Sequence, residues 1–162
     1  MQPAHESDDI SDENKLVMQI LKTAHTVRSD PDTAEKSIQY ALQLAPHNID
    51  AHIGAYRFYF YNQRYSDALQ HAQFIIEHSA RRMNICIDWQ KVLPTDSDFT
   101  LKEYVPGLYL QALLAWGFSN IKSGNVSKGR EAVVKVIEID PSDRFNARSI
   151  LSILDNETSN IL

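Results

Sequence analysis

Apolar residues recur along most of this chain at the helical period. Within 48–82, Ala68, Leu69, Ala72, Ile75 and Ile76 fall on one stripe, spaced as on an amphipathic helix. The segment before it is different. Tyr56, Phe58, Tyr59, Phe60 and Tyr61 put five of the chain's fifteen aromatic residues into six positions. At about 100° per residue they point in nearly every direction around the axis. That predicts a helix covered on several sides, in the middle of the molecule. The two helices are predicted to meet at Asn62–Tyr65.

The flanking segments pair in the same way. A first pair is predicted over roughly Lys15–Arg28 and Asp32–Leu44, with Asp30 as N-cap and Pro31 at the first helical position. Ala34, Ile38, Ala41 and Leu42 form its apolar stripe, and Pro46 stops it. A further pair spans about Pro106–Lys122 and Val126–Ile139, broken at Ser123–Gly124–Asn125 and stopped by Asp140–Pro141. A last helix, capped by Ser142, carries Ala147, Ile150, Leu151 and Leu154 on one face and reads as a lid over Asp143–Leu154, with Glu157–Leu162 fraying. The expected fold class is all-α.

At 162 residues, with 43% hydrophobic and 23% charged positions, the chain reads as one domain large enough for a substantial core. The net charge of −5 has a local origin. Residues 1–14 hold Glu6, Asp8, Asp9, Asp12 and Glu13 and no base, and they read as an acidic, flexible tail. From Lys15 onward the charges balance, which argues against a nucleic-acid partner. The longest apolar stretch, Gly107–Phe118, is too short to span a bilayer and contains Gln111. The N-terminus lacks the basic flank and apolar core of a secretory signal. The single cysteine, Cys86, excludes an intrachain disulfide and fits a reducing, cytoplasmic setting. Among Ile85, Ile87 and Trp89 it reads as a buried thiol.

The paired helices recur in phase. LQLAP (Leu42–Pro46) and IEIDP (Ile137–Pro141) close two units of about 34 residues. Aligned on their prolines, the units are 15–48, 49–82 and 110–143. This pattern resembles the tetratricopeptide repeat. Trp116–Gly117, Gly124, Val126 and Gly129 stand at its characteristic places in the third unit. Ala51, Tyr59, Tyr65 and Ala68 do so in the second, and Leu21, Ala34, Ala41, Leu42 and Pro46 in the first. Tyr56 and Lys22 depart from it where the family has a small residue, and Ala80 where it has proline. The resemblance implies a right-handed solenoid of helical hairpins, closed by a capping helix over 143–157 because the last unit needs a lid.

Residues 83–109 interrupt the phase as an insertion between the second and third repeats. It is predicted to begin with an overrun of the preceding helix, to loop around Pro94, and to end in a short helix into Pro106. Thr100 and Glu103 have capping-box spacing. Asp96 and Asp98 lack the glycine and distal glutamate of a calcium loop, so no metal is expected there. The six histidines are not expected to assemble. His71 and His78 stand two turns apart, too far to chelate one ion. With no phosphate loop and no nucleophile elbow, neither a cofactor nor catalysis is expected.

The resemblance implies a protein-interaction module or adaptor that takes a peptide or partner helix in a concave groove. Gln19, Thr23 and Thr26 would line it from the first unit and Ile53, Arg57, Phe60 and Tyr61 from the second. Gln111, Leu114, Phe118, Ile121 and Lys122 would come from the third. The apolar strip with Arg57 and Lys122 nearby suits an aromatic or apolar anchor beside a carboxylate. Either this groove is open, or the lid helix or the insertion fills it. The family's receptors for acidic C-terminal peptides use a charged clamp; here the matching places hold Gln19, Thr23, Gly54, Gln111 and Ala115. A chaperone of the type III secretion kind is the alternative, then an enzyme or metal site in the insertion. Self-association stays open.

Overall fold

Helices account for nearly all regular structure in the computed structural model, which describes residues 6–159 and the side chains of 12–157. They are α1 (Glu6–Thr26), α2 (Pro31–Leu44), α3 (Ile49–Tyr61), α4 (Tyr65–Met83), α5 (Tyr104–Lys122), α6 (Val126–Ile139) and α7 (Ala147–Ser159). A 3-10 turn, Trp89–Lys91, lies between α4 and α5. No strand occurs among the described residues. The protein is therefore all-α.

The local signals act as their chemistry dictates. The Asp30 carboxylate accepts from the Thr33 amide at 3.4 Å, and Pro31 occupies the first turn of α2. The Asn48 side chain accepts from the Ala51 amide at 3.0 Å and starts α3. Gly124 adopts φ +97°, a left-handed conformation that glycine takes without a Cβ clash, and so turns α5 into α6.

Helix starts and stops differ from the pattern in several places. Helix α1 begins at Glu6 rather than Lys15, because an acidic stretch suits a helix N-terminus, where the macrodipole favours negative charge. Residues 1–5 and 160–162 of the expected tail and frayed end lie outside the described residues. Helix α4 does overrun as expected: it runs 19 residues to Met83, against 14 in α2 and in α6, before Asn84 takes a left-handed C-cap (φ 56°). That turn leaves Cys86 exposed instead of buried. Thr100 and Glu103 form no capping box, since the Thr100 amide donates to Asp98 at 3.0 Å. No separate short helix precedes Pro106, which sits in the first turn of α5, where its missing N–H has no helical partner to lose. Ser142 does not cap the last helix. Its hydroxyl and amide both donate to the buried Asp140 carboxylate, and α7 begins only at Ala147.

The centre of the core is α5, not α3. Twelve of the nineteen residues of α5 are buried, against five of thirteen in α3. Helices α4 and α6 flank α5, α3 packs on α4 and α2, and α1 packs on α2 and touches α3. The aromatic run of α3 reaches past its covered end, so Tyr61 is 79% exposed.

The α4–α5 connection packs as core. Trp89, Val92 and Phe99 are buried, Trp89 meets Trp116 at 5.5 Å between ring centroids, and Phe99 meets Tyr109 at 5.8 Å. Lys135 anchors the segment by donating to the Val92 carbonyl at 2.9 Å. Helices α5 and α6 cross at Gly117 and Gly129. A Cβ on Gly117 would lie 2.8 Å from the Gly129 carbonyl oxygen, and one on Gly129 would collide with the Gly117 carbonyl. Here glycine is needed for close approach.

Candidate functional site

Ile53, Tyr56, Arg57, Phe60 and Tyr61 fall at i, i+3, i+4, i+7 and i+8, on one face of α3. Gln111, Leu114, Ala115 and Phe118 do the same on α5. The two faces meet across a surface hollow of about 540 Å³, walled also by Phe145 and Ile150 from the C-terminal segment. Phe60 and Phe118 lie 5.7 Å apart, and each is 5.6 Å from Tyr65. Such tilted and edge-on contacts suit the ring quadrupoles. Phe60 and Phe118 are half-buried, so each keeps a free edge at the hollow.

The electrostatics are one-sided. The Arg57 guanidinium is exposed and has no carboxylate at ion-pair distance among the described residues. Its neighbour Tyr56 is buried, and desolvation pushes the phenol above its ordinary value while Arg57 pulls the other way. Lys122, by contrast, pairs with Glu157 of α7 at 3.7 Å and lies 5.4 Å from the Phe118 ring centre.

The expected groove residues divide. Arg57, Phe60, Tyr61, Gln111, Leu114 and Phe118 come together at this hollow. Ile53, Arg57 and Tyr61 line a second one, of about 580 Å³, between α1, α2 and α3. Gln19 and Thr23 line neither; Thr23 donates its hydroxyl to the Gln19 carbonyl at 3.1 Å on the exposed side of α1. Ile121 turns away to cover Gly129, whose missing side chain leaves room for it. Lys122 stands beyond the rim. Helix α7 thus forms a wall of the hollow, and the α4–α5 connection lines neither hollow; Tyr104, the first residue of α5, reaches the second one. Phe145 and Ile150 were not expected, since no local periodicity reveals which surface a terminal helix meets.

Two histidines do assemble, against expectation. His52 of α3 and His71 of α4 bring their Nδ1 atoms to 3.0 Å. His52 Nε2 lies 2.7 Å from the Pro46 carbonyl oxygen, so it must donate there. Its Nδ1 then accepts, and His71 Nδ1–H is the donor. His52 also stacks on Phe74 at 3.7 Å, and His71 on Tyr59 at 5.7 Å. Burial, and then the neighbouring His52, lower His71 to a pKa of about 4. One signal was legible: His71 falls on the same buried stripe as Ala68, Ala72 and Ile75. No group of three or more His, Cys, Asp or Glu side chains suited to a metal occurs among the described residues. No described helix is long and apolar enough to cross a membrane.

The site so defined is a cationic, aromatic-walled hollow on an all-helical scaffold. The chain is 31% identical over 135 residues to an uncharacterized 19.8 kDa protein in the nifW 5′ region of Azotobacter chroococcum mcd 1, an alignment covering 80% of this chain and 74% of that protein. It belongs to the same family as that protein. No family profile and no solved structure matches it.

Proposed function

We propose that the protein is a non-catalytic interaction module of tetratricopeptide-repeat type, whose α3–α5 hollow takes a peptide or partner helix. On this reading the repeats are 15–48, 49–82 and 110–143, the insertion is 83–109, and the capping helix closes the third repeat. Supporting it are the short turns at Asn62–Arg64 and Ser123–Asn125 and the glycine-mediated crossing of α5 on α6. The observation that carries the functional part is Arg57. An unneutralised guanidinium lining the same hollow as the half-buried rings of Phe60 and Phe118 suits a partner that brings an apolar anchor beside a carboxylate.

The test is capture of a partner by the immobilised protein, followed by affinity measurement with variants. Phe118→Ser and Phe60→Ser should each weaken binding by about 2 kcal/mol or more, roughly thirtyfold. Val134→Ser, on the exposed side of α6, should leave it unchanged. Partners held equally well by all three variants would place the binding surface elsewhere.

A further inference from the structure

Helices α1 and α3 run parallel, as two contacts establish. Asn48 Nδ2 donates to Asn14 Oδ1 at 2.7 Å, and Leu21 Cδ2 fills the space above Gly54, 2.9 Å from where a Cβ would stand. Both partners advance together along the sequence. The second hollow, of about 580 Å³, opens between these helices and α2, and its size falls in the range of small-molecule sites. Leu21, Ala24, Ile38 and Ile53 give it an apolar lining.

Its charged groups are sorted along the length. Asp50 lies four residues before Gly54 and Arg57 three after it, so at 1.5 Å rise they stand about 10 Å apart along α3. Arg28, just beyond the end of α1, belongs to the Arg57 end because the helices are parallel. Arg28, Arg57 and Asp50 have no ion-pair partner among the described residues. Two guanidinium groups without a carboxylate partner at one end of an apolar trough, with a carboxylate that lacks an ion-pair partner at the other, define a polarity. An anionic head is attracted at the arginine end, a neutral head gains nothing there, and a second anionic group at the far end meets Asp50.

We propose that this hollow is a binding site for an amphipathic monocarboxylate, its hydrocarbon laid along Leu21, Ala24, Ile38 and Ile53 and its carboxylate held at Arg28 and Arg57. The site is separate from the aromatic hollow, although Arg57 and Tyr61 form the wall between them.

The probes are decanoate, decanol and decanedioate, followed by calorimetry and by methyl NMR of the full chain. Decanoate should saturate a single site and shift the Leu21, Ile38 and Ile53 methyls. Decanol should bind about tenfold or more weaker, the worth of one charge-assisted hydrogen bond, and decanedioate weaker than decanoate as well. Arg28→Glu, at an exposed position, should melt like wild type and lose decanoate binding by about tenfold or more. Phe118→Ser should bind decanoate normally, which separates this site from the partner hollow. Absence of saturable shifts, equal binding of decanol, or an unaffected Arg28→Glu variant would each overturn the proposal.

Discussion

Gly129→Ala should destabilise the fold by about 2–3 kcal/mol, although alanine is the better helix former by about 1 kcal/mol. The added methyl group has nowhere to go. Besides the Gly117 carbonyl it would meet the Ile121 amide nitrogen at 2.9 Å and Ile121 Cγ1 at 2.7 Å. Two of these three obstacles are backbone atoms, so relief requires moving α5 and α6 apart, and α5 is the centre of the core. For a chain of this length the thermal midpoint should fall by about 5–10 °C. Gly117→Ala attacks the same crossing from the other side, against Ala132 Cβ and Val133 Cγ2 at 3.1 Å. Because one separation relieves both clashes, the double variant should cost less than the sum of the singles. Urea denaturation of the three variants checks this, and a Gly129→Ala protein as stable as wild type would contradict the close crossing.

Acid should destabilise the protein well above the range where carboxylates titrate. The folded state keeps His71 neutral down to about pH 4, whereas an unperturbed imidazole protonates near 6.5. Between those values the unfolded chain binds the extra proton. Stability from this group is therefore complete above pH 6.5 and falls as the pH drops towards 4. The span corresponds to roughly 3 kcal/mol. Burial is the main cause, the His52 ring adds to it, and Asp67 on α4 pulls weakly the other way. His52 is lowered too, by burial first, with His47 adding to the effect and its bond to Pro46 opposing it. A second proton on the pair would also break the Nδ1–Nδ1 hydrogen bond. His71→Gln retains a donor towards His52 but cannot titrate. Its unfolding free energy should fall less steeply than that of wild type between pH 6.5 and 4, with the remainder coming from His52 and His78, and parallel profiles would show that His71 is not held neutral in the fold.

Local chemistry made much of the fold legible. The N-cap at Asp30, the glycine turn at Gly124 and the stops at Pro46 and Pro141 act over a few residues, and sequence spacing reports such signals directly. The site was legible where one helix face supplied it, as with Arg57, Phe60 and Tyr61, or Gln111, Leu114 and Phe118. Contacts between helices were not. Nothing in the spacing of His52 and His71 distinguishes a bonded pair from two unrelated rings, because the relative rotation of α3 and α4 decides it. The burial of α5 follows from composition more than from periodicity: its largely apolar run, broken by Gln111 and charged only at Lys122, lets most of its surface be covered by α4, α6 and the α4–α5 connection. Ile121 shared the apolar strip by sequence, yet the vacancy over Gly129 claimed it.

The central claim is that Phe60 and Phe118 edge a surface built for a partner and are not ordinary core. Chemical denaturation of Phe60→Ser, Phe118→Ser and Tyr59→Ala beside wild type tests it most directly. Tyr59 is buried between helices, with its hydroxyl donating to Glu35 at 3.0 Å and Arg64 lying over its ring, so its loss should cost about 3–5 kcal/mol. The half-buried Phe60 and Phe118 should each cost less than about 2 kcal/mol, the worth of partial burial and one ring contact. If both serine variants unfold as readily as Tyr59→Ala, the hollow is core and the binding surface lies elsewhere.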